Sequence, residues 1–338
     1  MKSLWKVSSL IIIGLIIVSG CSKEDSVGPQ TQQTDEQALK QQVTMIDSVA
    51  EYSASDEQTI DDGGIQDPEY EPLAKAGVDY GTLDNLAADS LYPVKWGRRI
   101  FWDQIVRNYD VTIIGDTIAH VLITKTVTGE FWVGLGMRSG DSVFVDSIIQ
   151  KPFTETVKRK VRFYRIARTE NPLRNWVPVA LTMVQGYTNA ENTFSIDSVE
   201  ISAYSGEINA TITNPLETWF RLGRFFGSVP VFFVHDSVRL KVYVSSSSDS
   251  AELVYLRHGI MSGRLDRRRG RMELVSTSGG SGNYQRVYER TFVVGLPLGV
   301  SVARFNAVVD VISYGSVYDN AEPFLNEFWG APYIAVRR

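Results

Sequence analysis

The sequence predicts an all-β fold in which two β-sandwich-like domains follow a disordered acidic tether. Three observations support this prediction. From about residue 92 onward, apolar and polar residues alternate as they do in half-buried strands. Short clusters of Gly, Asp, Ser and Asn separate the strand-like runs at hairpin spacing. Before residue 92, acidic and small polar residues replace the large apolar ones, so this part of the chain is expected to form little core.

The N-terminus has the three parts of an export signal. Lys2 and Lys6 give a positive start, residues 10–18 form an apolar centre, and Ser19 and Gly20 are small residues at a cleavage site. The apolar run is too short for a transmembrane helix, which needs about 20 apolar residues. We therefore expect a signal peptide that ends at residue 20.

Cys21 is the only cysteine of the chain, and it directly follows this signal. The sequence Val18-Ser19-Gly20-Cys21 resembles the lipobox of bacterial lipoproteins. This resemblance implies cleavage before Cys21 and acylation of its sulfur and its amine, which gives a lipid anchor in the membrane. Two or more acyl chains hold a protein on a membrane for long times, whereas one chain holds only marginally. Cys21 is therefore the expected lipidation site.

The residues after Cys21 bear on the location of the protein. The next residue is Ser22 and not Asp, unlike the inner-membrane retention signal of enteric bacteria. Lys23-Glu24-Asp25 is similar to the tag that, in some Gram-negative groups, sends lipoproteins to the outer face of the outer membrane. A solvated linker has the same composition, so this interpretation stays open beside the first. We expect a lipid-anchored protein of the outer membrane. The tag interpretation adds exposure at the cell surface, and the linker interpretation leaves the face of the membrane open.

Charge is distributed unevenly along the 338 residues. Residues 21–90 contain 16 Asp or Glu and three Lys or Arg, a balance of −13. Residues 91–338 contain 23 Asp or Glu and 29 Lys or Arg, a balance of +6. The acidic part cannot bury enough apolar surface to offset the entropy of ordering, so residues 21–91 are expected to be a mostly disordered tether. The acidic pI of about 5.4 and the export signal argue against a nucleic-acid partner.

One short helix is expected within the tether, near residues 35–50. Leu39, Val43, Ile46 and Ala50 lie at helical spacing and follow a polar segment that is typical of a helix N-terminus. Such a helix is marginal in isolation because nucleation is costly and the segment is short.

The first predicted β domain covers residues 92–226. Tight turns are predicted at Gly115-Asp116 and at Thr128-Gly129, between strand-like runs that continue to about residue 213. Asn214-Pro215 ends this series. Residues 216–226 are predicted to form a short aromatic helix or an irregular connection.

The second predicted β domain covers residues 227–338. It has about seven strand-like runs in about 110 residues, with hairpin turns predicted at residues 246–249 and 279–282. The count and spacing fit an immunoglobulin-like sandwich. The Cys and Trp markers of antibody domains are absent, so the resemblance concerns architecture alone and implies no function.

The sequence contains no recognisable catalytic signature. His120, His235 and His258 are the only histidines, and they do not occur at metal-ligand spacings. Gly-x-Ser-x-Gly and phosphate-binding loop motifs are absent. We therefore expect no metal and no cofactor, and we name no catalytic residue. A glycosidase carboxylate pair, whose members can be far apart in sequence, is the alternative.

The densest charge cluster is a group of arginines between the predicted strands at residues 251–258 and 271–276. Guanidinium groups bind phosphate or carboxylate in a bidentate manner, which makes the group a candidate anion-binding site. A solvated loop that prevents edge-to-edge aggregation of the sheet is the alternative. The candidate residues are Arg264, Arg267, Arg268, Arg269 and Arg271.

Two aromatic clusters flank the β region and are interpreted as core, because burying one such ring contributes about 1.5–3 kcal/mol. An exposed platform that stacks on sugars is the alternative. The first cluster contains Trp96, Phe101 and Trp102, and the second contains Phe324, Phe328, Trp329 and Tyr333.

Two functional classes follow from these observations. The first is a non-enzymatic surface or envelope lipoprotein that binds a glycan or an envelope protein, or that has a structural role. The second is a hydrolase that acts on polysaccharide through an unrecognised carboxylate pair. The absence of a nucleophile or metal signature favours the first. A deep cleft lined by carboxylates is the observation that separates them.

Overall fold

The described part of the chain is all-β, as the sequence predicts. The structure, a computed structural model, describes residues 33–48, 92–139, 142–203, 209–222, 228–259, 267–296 and 298–338. Within these residues the strands form one sheet of 12 strands and one of five. The strands are β1 Tyr92–Ile100, β2 Val106–Ile114, β3 Ile118–Ser139, β4 Ser142–Arg165, β5 Trp176–Thr182, β6 Val184–Thr188, β7 Phe194–Ala203, β8 Asn209–Ile212, β9 Trp219–Arg221, β10 Val231–Phe233, β11 Ser237–Ser246, β12 Leu253–Gly259, β13 Arg267–Arg271, β14 Glu273–Gly280, β15 Asn283–Val293, β16 Val302–Ile312 and β17 Asn326–Val336. The helices are α1 Asp35–Ser48 and α2 Tyr314–Tyr318, and short 3-10 turns lie at Trp102–Gln104 and Pro172–Arg174.

The larger sheet is built around the long hairpin of β3 and β4, which contain 22 and 24 residues. Its main strand order is β1-β3-β4-β6-β17-β16-β12-β13; β2 pairs with β3, β5 joins β4 to β9, and β10 runs parallel to β17. The sheet curls, because strands from its two ends meet. The Trp96 ring of β1 lies 5.0 Å from the Tyr255 ring of β12 and 4.2 Å from Cζ of Arg269 in β13. The result is a half-barrel with a concave inner face.

The smaller sheet has the order β14-β15-β11-β7-β8 and packs against the larger one. Alternate residues of both sheets fill the layer between them, among them Val242 of β11 and Val309 of β16. Strands β14-β15-β11 oppose β17-β16-β12-β13, which is the order D-E-B against G-F-C-C′ of an immunoglobulin sandwich. The β-sandwich character expected for the C-terminal part of the chain is therefore present.

The expected division into two β domains at residue 226 is not confirmed. Strand β6 pairs with β17, and β7 pairs with β11, so strands before residue 226 extend both sheets of the immunoglobulin-like sandwich. Thr34–Arg338 forms one compact unit. The reason is that β6 and β7 place their apolar faces on the same cores as the later strands.

Local predictions succeed where chain neighbours pair. The turn at Gly115-Asp116 joins β2 to β3, and the turn at residues 279–282 joins β14 to β15. The turn predicted at Thr128-Gly129 is wrong, because β3 continues through it. At Gly129 a Cβ atom would lie only 2.4 Å from the carbonyl oxygen of Arg99 on β1. Glycine at this position therefore allows close strand approach and does not form a turn.

The hairpin predicted around residues 246–249 is also wrong. Strands β11 and β12 belong to different sheets, and the segment between them crosses from one layer to the other. Val244 of β11 and Leu256 of β12 contact the same core from opposite sides, which explains why the two strands do not pair. In the segment 216–226 the described residues form the short strand β9 and no helix.

The concave face of the half-barrel holds two apolar clusters with charged side chains between them. Along β3 the odd-numbered residues from 119 to 133 are buried, and the even-numbered residues from 118 to 132 are partly exposed. Val121 belongs to the cluster at one end and Phe131 to the cluster at the other. Lys125 on β3 and Arg159 on β4 are buried at the positions between them.

A helix is present in the segment where one is expected. Helix α1 begins with a capping box, in which the Gln37 N–H donates to Thr34 Oγ1 over 3.2 Å and the Thr34 N–H donates to Gln37 Oε1 over 3.0 Å. The prediction of this helix is confirmed. The rest of the expected tether, residues 21–32 and 49–91, lies outside the described residues.

Helix α1 is docked on the half-barrel, which corrects the expectation that this segment contributes little core. Leu39 and Val43 are fully buried in the cluster that includes Trp176. The Asp35 carboxylate accepts a hydrogen bond from Trp176 Nε1 over 3.0 Å and pairs with Arg165 Nη2 over 2.6 Å. The helix is stabilised by these tertiary contacts, as short helices generally are.

Buried charged side chains connect strands that are far apart in the chain. Arg98 of β1 donates through Nη1 to Glu155 Oε1 of β4 over 3.0 Å and through Nη2 to Asp310 of β16. Asp310 also accepts from Arg257 Nη2 of β12 over 2.9 Å and from Asn326 Nδ2 of β17 over 3.3 Å. All five side chains are buried. The network joins the first strand of the β region to three of its last strands.

Replacing Asp310 by Ala is expected to destabilise the protein by about 3–5 kcal/mol, because it leaves Arg98 and Arg257 buried without their shared carboxylate. Urea unfolding of the variant and the parent measures this change. The matched control is Asp103→Ala at an exposed position, with an expected change within about 0.5 kcal/mol. Equal unfolding midpoints for the parent and the Asp310→Ala variant would contradict the role given to the network.

Leu39→Ala is expected to lower the free energy of unfolding by about 2–5 kcal/mol, because the side chain is fully buried under α1. Thr44→Ala, at an exposed position of the same helix, serves as the control and is expected to change it by less than about 1 kcal/mol. Thermal unfolding measures both. If the fragment 92–338 is as stable as the chain that starts at residue 34, the docking of α1 has no energetic role.

Candidate binding site

The predicted arginine cluster lies at the edge of the larger sheet. Strand β13 pairs only with β12 among the described residues, so the four candidate arginines from Arg267 to Arg271 belong to an edge strand rather than to a loop between strands. Arg264 lies outside the described residues, and Arg267 and Arg268 are described by their backbone alone. Arg269 and Arg271 are half-buried. The structure therefore places at least two of the five candidate side chains together on one strand.

Cys21, the expected lipidation site, lies outside the described residues. Among the histidines, His120 accepts a hydrogen bond from Arg162 Nε over 2.9 Å, as expected for a satisfied sheet residue. Burial lowers the pKa of His120, and the nearby charges of Arg162 and Lys160 lower it further. The described residues contain no group of three or more His, Cys, Asp or Glu side chains that could hold a metal ion.

A polar cleft of about 810 Å³ lies where three connections meet. One connection precedes β7, one links β11 to β12, and one runs from β16 through α2 to β17. The volume falls within the range of about 300–1,000 Å³ that is usual for small-molecule sites. The lining residues are Thr193, Ser247, Ser248, Ser250, Ser313, Tyr314, Gly315, Tyr318, Asp319, Asn320, Ala321, Glu322 and Leu325.

The wall of the cleft around α2 is held by a buried lysine. Lys151 of β4 donates through Nζ to the carbonyl oxygen of Asp319 over 2.5 Å and to that of Gly315 over 3.3 Å. Burial lowers the pKa of Lys151, and the charges of Asp319 and Glu322 oppose this effect. Since Lys151 lies on the long hairpin, the sheet itself positions this wall.

The opposite wall is held in the same manner by a buried arginine. Arg286 of β15 donates through Nη2 to the carbonyl oxygens of Ser248 and Asp249 over 2.7 and 3.0 Å. Its Nη1 pairs with Glu252 over 2.8 Å, and Glu252 also accepts from the hydroxyl of Tyr288 over 2.8 Å. Two buried cations thus bind backbone carbonyls of the two connections that form the cleft, which restricts the movement of both.

Two tyrosines provide an aromatic surface in the cleft. The rings of Tyr314 and Tyr318 are stacked, with their centroids 4.3 Å apart and their planes inclined by 22°. They lie four residues apart on α2, so the helix places them on one face. Ser313 caps this helix by accepting from the Ser316 N–H over 3.1 Å. The cleft therefore combines a pair of stacked rings with serine hydroxyl groups.

Two carboxylates also line the cleft. Asp319 Oδ1 accepts the N–H of Ala321 over 2.8 Å, and so takes part in the local turn. The stem of Glu322 packs on Gly315, where a Cβ atom would lie 2.9 Å from Glu322 Cγ. Both residues belong to the connection from α2 to β17, and both are exposed.

The aromatic clusters are largely core, as predicted. Trp96, Phe324, Phe328, Trp329 and Tyr333 are buried. Phe101 is only partly buried, and Trp102 has 39% of its surface exposed.

Sequence reasoning missed the cleft, because its residues come from connections that are far apart in the chain. The available signals were the serine-rich segment at residues 246–250 and two tyrosines at helical spacing. Neither pattern reveals that the two segments meet.

The chain matches no model of a known protein family and no curated protein sequence. Within the described part of the chain, helices that could cross a membrane are absent, since none is both long and apolar enough.

Proposed function

We propose that the protein is a lipid-anchored lipoprotein of the bacterial outer membrane that acts as a non-enzymatic binding module. The proposed ligand of the cleft is carbohydrate. The lipobox-like sequence at Cys21 supports the anchor, and the stacked tyrosines between two clamped connections support the binding role. This stacked pair is the observation that carries the proposal.

Carbohydrate fits the chemistry of the cleft. Sugars present flat apolar faces that pack on aromatic rings, as Tyr314 and Tyr318 provide here. Their hydroxyl groups both donate and accept hydrogen bonds, and the Ser, Asn, Asp and Glu side chains of the lining offer both kinds of partner. The cleft is about large enough for one or two sugar rings.

The fixed walls favour binding because they reduce its entropic cost. A loop that must order when a ligand binds subtracts that ordering free energy from the affinity. The buried side chains of Lys151 and Arg286 hold the two connections through four hydrogen bonds to backbone carbonyls. The cleft is therefore formed before the ligand arrives.

A polysaccharide hydrolase is the second candidate, because a cleft lined by carboxylates is the feature expected of it and Asp319 and Glu322 line this cleft. A glycosidase needs two carboxyl groups that flank the scissile bond, one of them protonated. Here the two residues are exposed neighbours on one connection, and Asp319 accepts a backbone N–H. This arrangement favours a binding role over an acid and base pair.

Replacing both Tyr314 and Tyr318 by Ala is expected to weaken carbohydrate binding about 5- to 150-fold, since stacking on each aromatic ring contributes roughly 0.5–1.5 kcal/mol. An array of neutral, N-acetylated and acidic oligosaccharides measures binding by the chain from Cys21 to Arg338. Tyr164→Ala, at an exposed tyrosine outside the cleft, is the control that retains binding.

Unchanged binding by the double tyrosine variant would place the carbohydrate site elsewhere. Release of shorter sugars by the parent protein, with loss of this activity in Asp319→Asn and Glu322→Gln, would instead establish the hydrolase. Binding without any cleavage product is the result expected from the proposal.

Cys21→Ser is expected to release the protein from the membrane fraction, because the acyl chains have no attachment point. Fractionation of the producing bacterium, with mass spectrometry of the N-terminal peptide, measures this. Ser22→Ala is the control and stays in the membrane fraction. An unmodified cysteine in membrane-bound parent protein would refute the anchor.

A further inference from the structure

The outer face of the long hairpin carries a row of basic side chains on β4. Val157 and Val161 are buried in the clusters of the concave face, so the alternate residues Lys158, Lys160 and Arg162 lie on the opposite face. Successive members of this row are about 6.5 Å apart, because a strand rises about 3.3 Å per residue. All three residues are partly exposed, so a ligand can reach this face.

Two neighbours on other strands hold the Arg162 guanidinium in place. Its Nε donates to His120 Nε2 of β3 over 2.9 Å, and its Cζ lies 4.1 Å from the centroid of the Trp219 ring of β9. The His120 ring lies 5.0 Å from the same Trp219 ring. A guanidinium that is fixed through Nε still has both Nη groups, which donate side by side to a carboxylate. Arg162 is thus oriented before a ligand binds.

The hydrogen bond from Arg162 requires a neutral His120. Burial lowers the pKa of His120, and the charges of Arg162 and Lys160 lower it further, although Glu217 opposes this effect. At neutral pH the imidazole is therefore uncharged, and Nε2 keeps the lone pair that accepts from Arg162.

The three cations of the row differ in whether a carboxylate neutralises them. Lys160 forms an ion pair with Glu217. Lys158 and Arg162, on either side of Lys160, form no ion pair with any residue that the structure describes. Two positive charges about 13 Å apart along the strand are therefore left for the anionic groups of a ligand.

Aromatic rings border the row at both ends. Trp219 lies beside Arg162, and the Tyr187 ring of β6 lies 5.6 Å from Nζ of Lys158. Both rings are half-buried, so part of each is accessible. Flat apolar faces of sugars pack on such rings, and the cations attract carboxylates. Cations and rings on one face fit an acidic sugar better than a simple inorganic anion.

We propose that this face, with Lys158, Arg162, Tyr187 and Trp219, binds an acidic polysaccharide through the carboxylates of its uronic acid residues. Arg162 binds one carboxylate through its two Nη groups, and Lys158 binds another one further along the polysaccharide. The occupant follows from charge complementarity, since the two cations of the face have no acidic partner within the described chain. This surface goes beyond the cleft proposed for carbohydrate and does not depend on it.

The test uses the chain from residue 21 to Arg338 with Cys21→Ser, so that no acyl chain contributes. Isothermal titration calorimetry measures the binding of oligogalacturonate, and the neutral galactose oligomer of the same length is the reference. The parent is expected to bind the acidic oligomer more tightly than the neutral one. Arg162→Met is expected to weaken oligogalacturonate binding about tenfold, because it removes a pair of charge-assisted donors.

The matched control is Arg239→Met, which removes the same charge from a partly exposed arginine of β11 in the smaller sheet. It is expected to keep the parent affinity within about twofold, because distant exposed charges are screened. Arg162→Lys keeps the charge but loses the paired Nη groups, so its affinity is expected to lie between those of the parent and Arg162→Met. Lys158→Met, at a partly exposed position, is also expected to weaken binding and serves as the test if Arg162→Met does not fold.

Three results would overturn this surface. One is equal binding of the acidic and the neutral oligomer by the parent. Another is equal weakening by Arg162→Met and Arg239→Met, which would reduce the effect to net charge. The third is sedimentation of the parent with phosphatidic acid vesicles without any binding of oligogalacturonate, which would assign the face to a lipid headgroup.

The double variant of Tyr314 and Tyr318 separates this surface from the cleft. Oligogalacturonate binding that this variant retains supports the surface, even if its binding of other sugars shows the cleft proposal to be wrong. Oligogalacturonate binding that the double tyrosine variant loses and Arg162→Met retains would place the acidic sugar in the cleft and refute the surface alone.

Discussion

The buried interaction between Arg98 and Asp310 is the constraint on which the rest of the structure depends. It joins β1 to β16 across 212 residues of sequence, inside the concave face of the larger sheet. Burying two charges is costly, and an ion pair of this kind offers little gain over apolar side chains of the same size. It does, however, penalise every arrangement in which one partner is buried alone. The curled sheet therefore has one register in which Arg98, Glu155, Arg257 and Asp310 all form ion pairs together.

Because the buried ion pairs close the curl of the larger sheet, both faces of this sheet contribute to a core. On its outer side, β12, β16 and β17 form half of an immunoglobulin-like sandwich with β11, β14 and β15. On its inner side the same strands close the concave face against β1, β3 and β4. The cleft depends on both layers, because Lys151 belongs to the long hairpin and Arg286 belongs to the smaller sheet. A change that loosens the closure is thus expected to loosen the cleft.

The sequence was sufficient to predict features that depend on neighbouring residues. Alternation of apolar residues predicted the all-β class, Gly115-Asp116 predicted a turn, and the polar segment before Leu39 predicted the start of α1. Features that depend on distant contacts were not predictable in this way. From the sequence alone Gly129 has the pattern of a turn residue, and only the structure shows that it lies against the Arg99 carbonyl of a distant strand. Likewise, Leu39 lies in a segment with the composition of a tether, and only the structure shows that it packs in one cluster with Trp176. Of the candidate sites, the arginine strand was visible as a run of charge, whereas the cleft arises only from the meeting of distant connections.

The central claim is that the buried network makes two parts of the chain one cooperative unit. The first part is the long hairpin of β3 and β4, and the second is the sandwich that contains β11, β15 and β16. Native-state hydrogen exchange of the backbone amides tests it most directly, because it reports the free energy of opening strand by strand. The account predicts that the slowest amides of β3 and β4 and those of β11, β15 and β16 open with the same free energy, equal to that of global unfolding. Two plateaus separated by more than about 2 kcal/mol, one for each part of the chain, would contradict it.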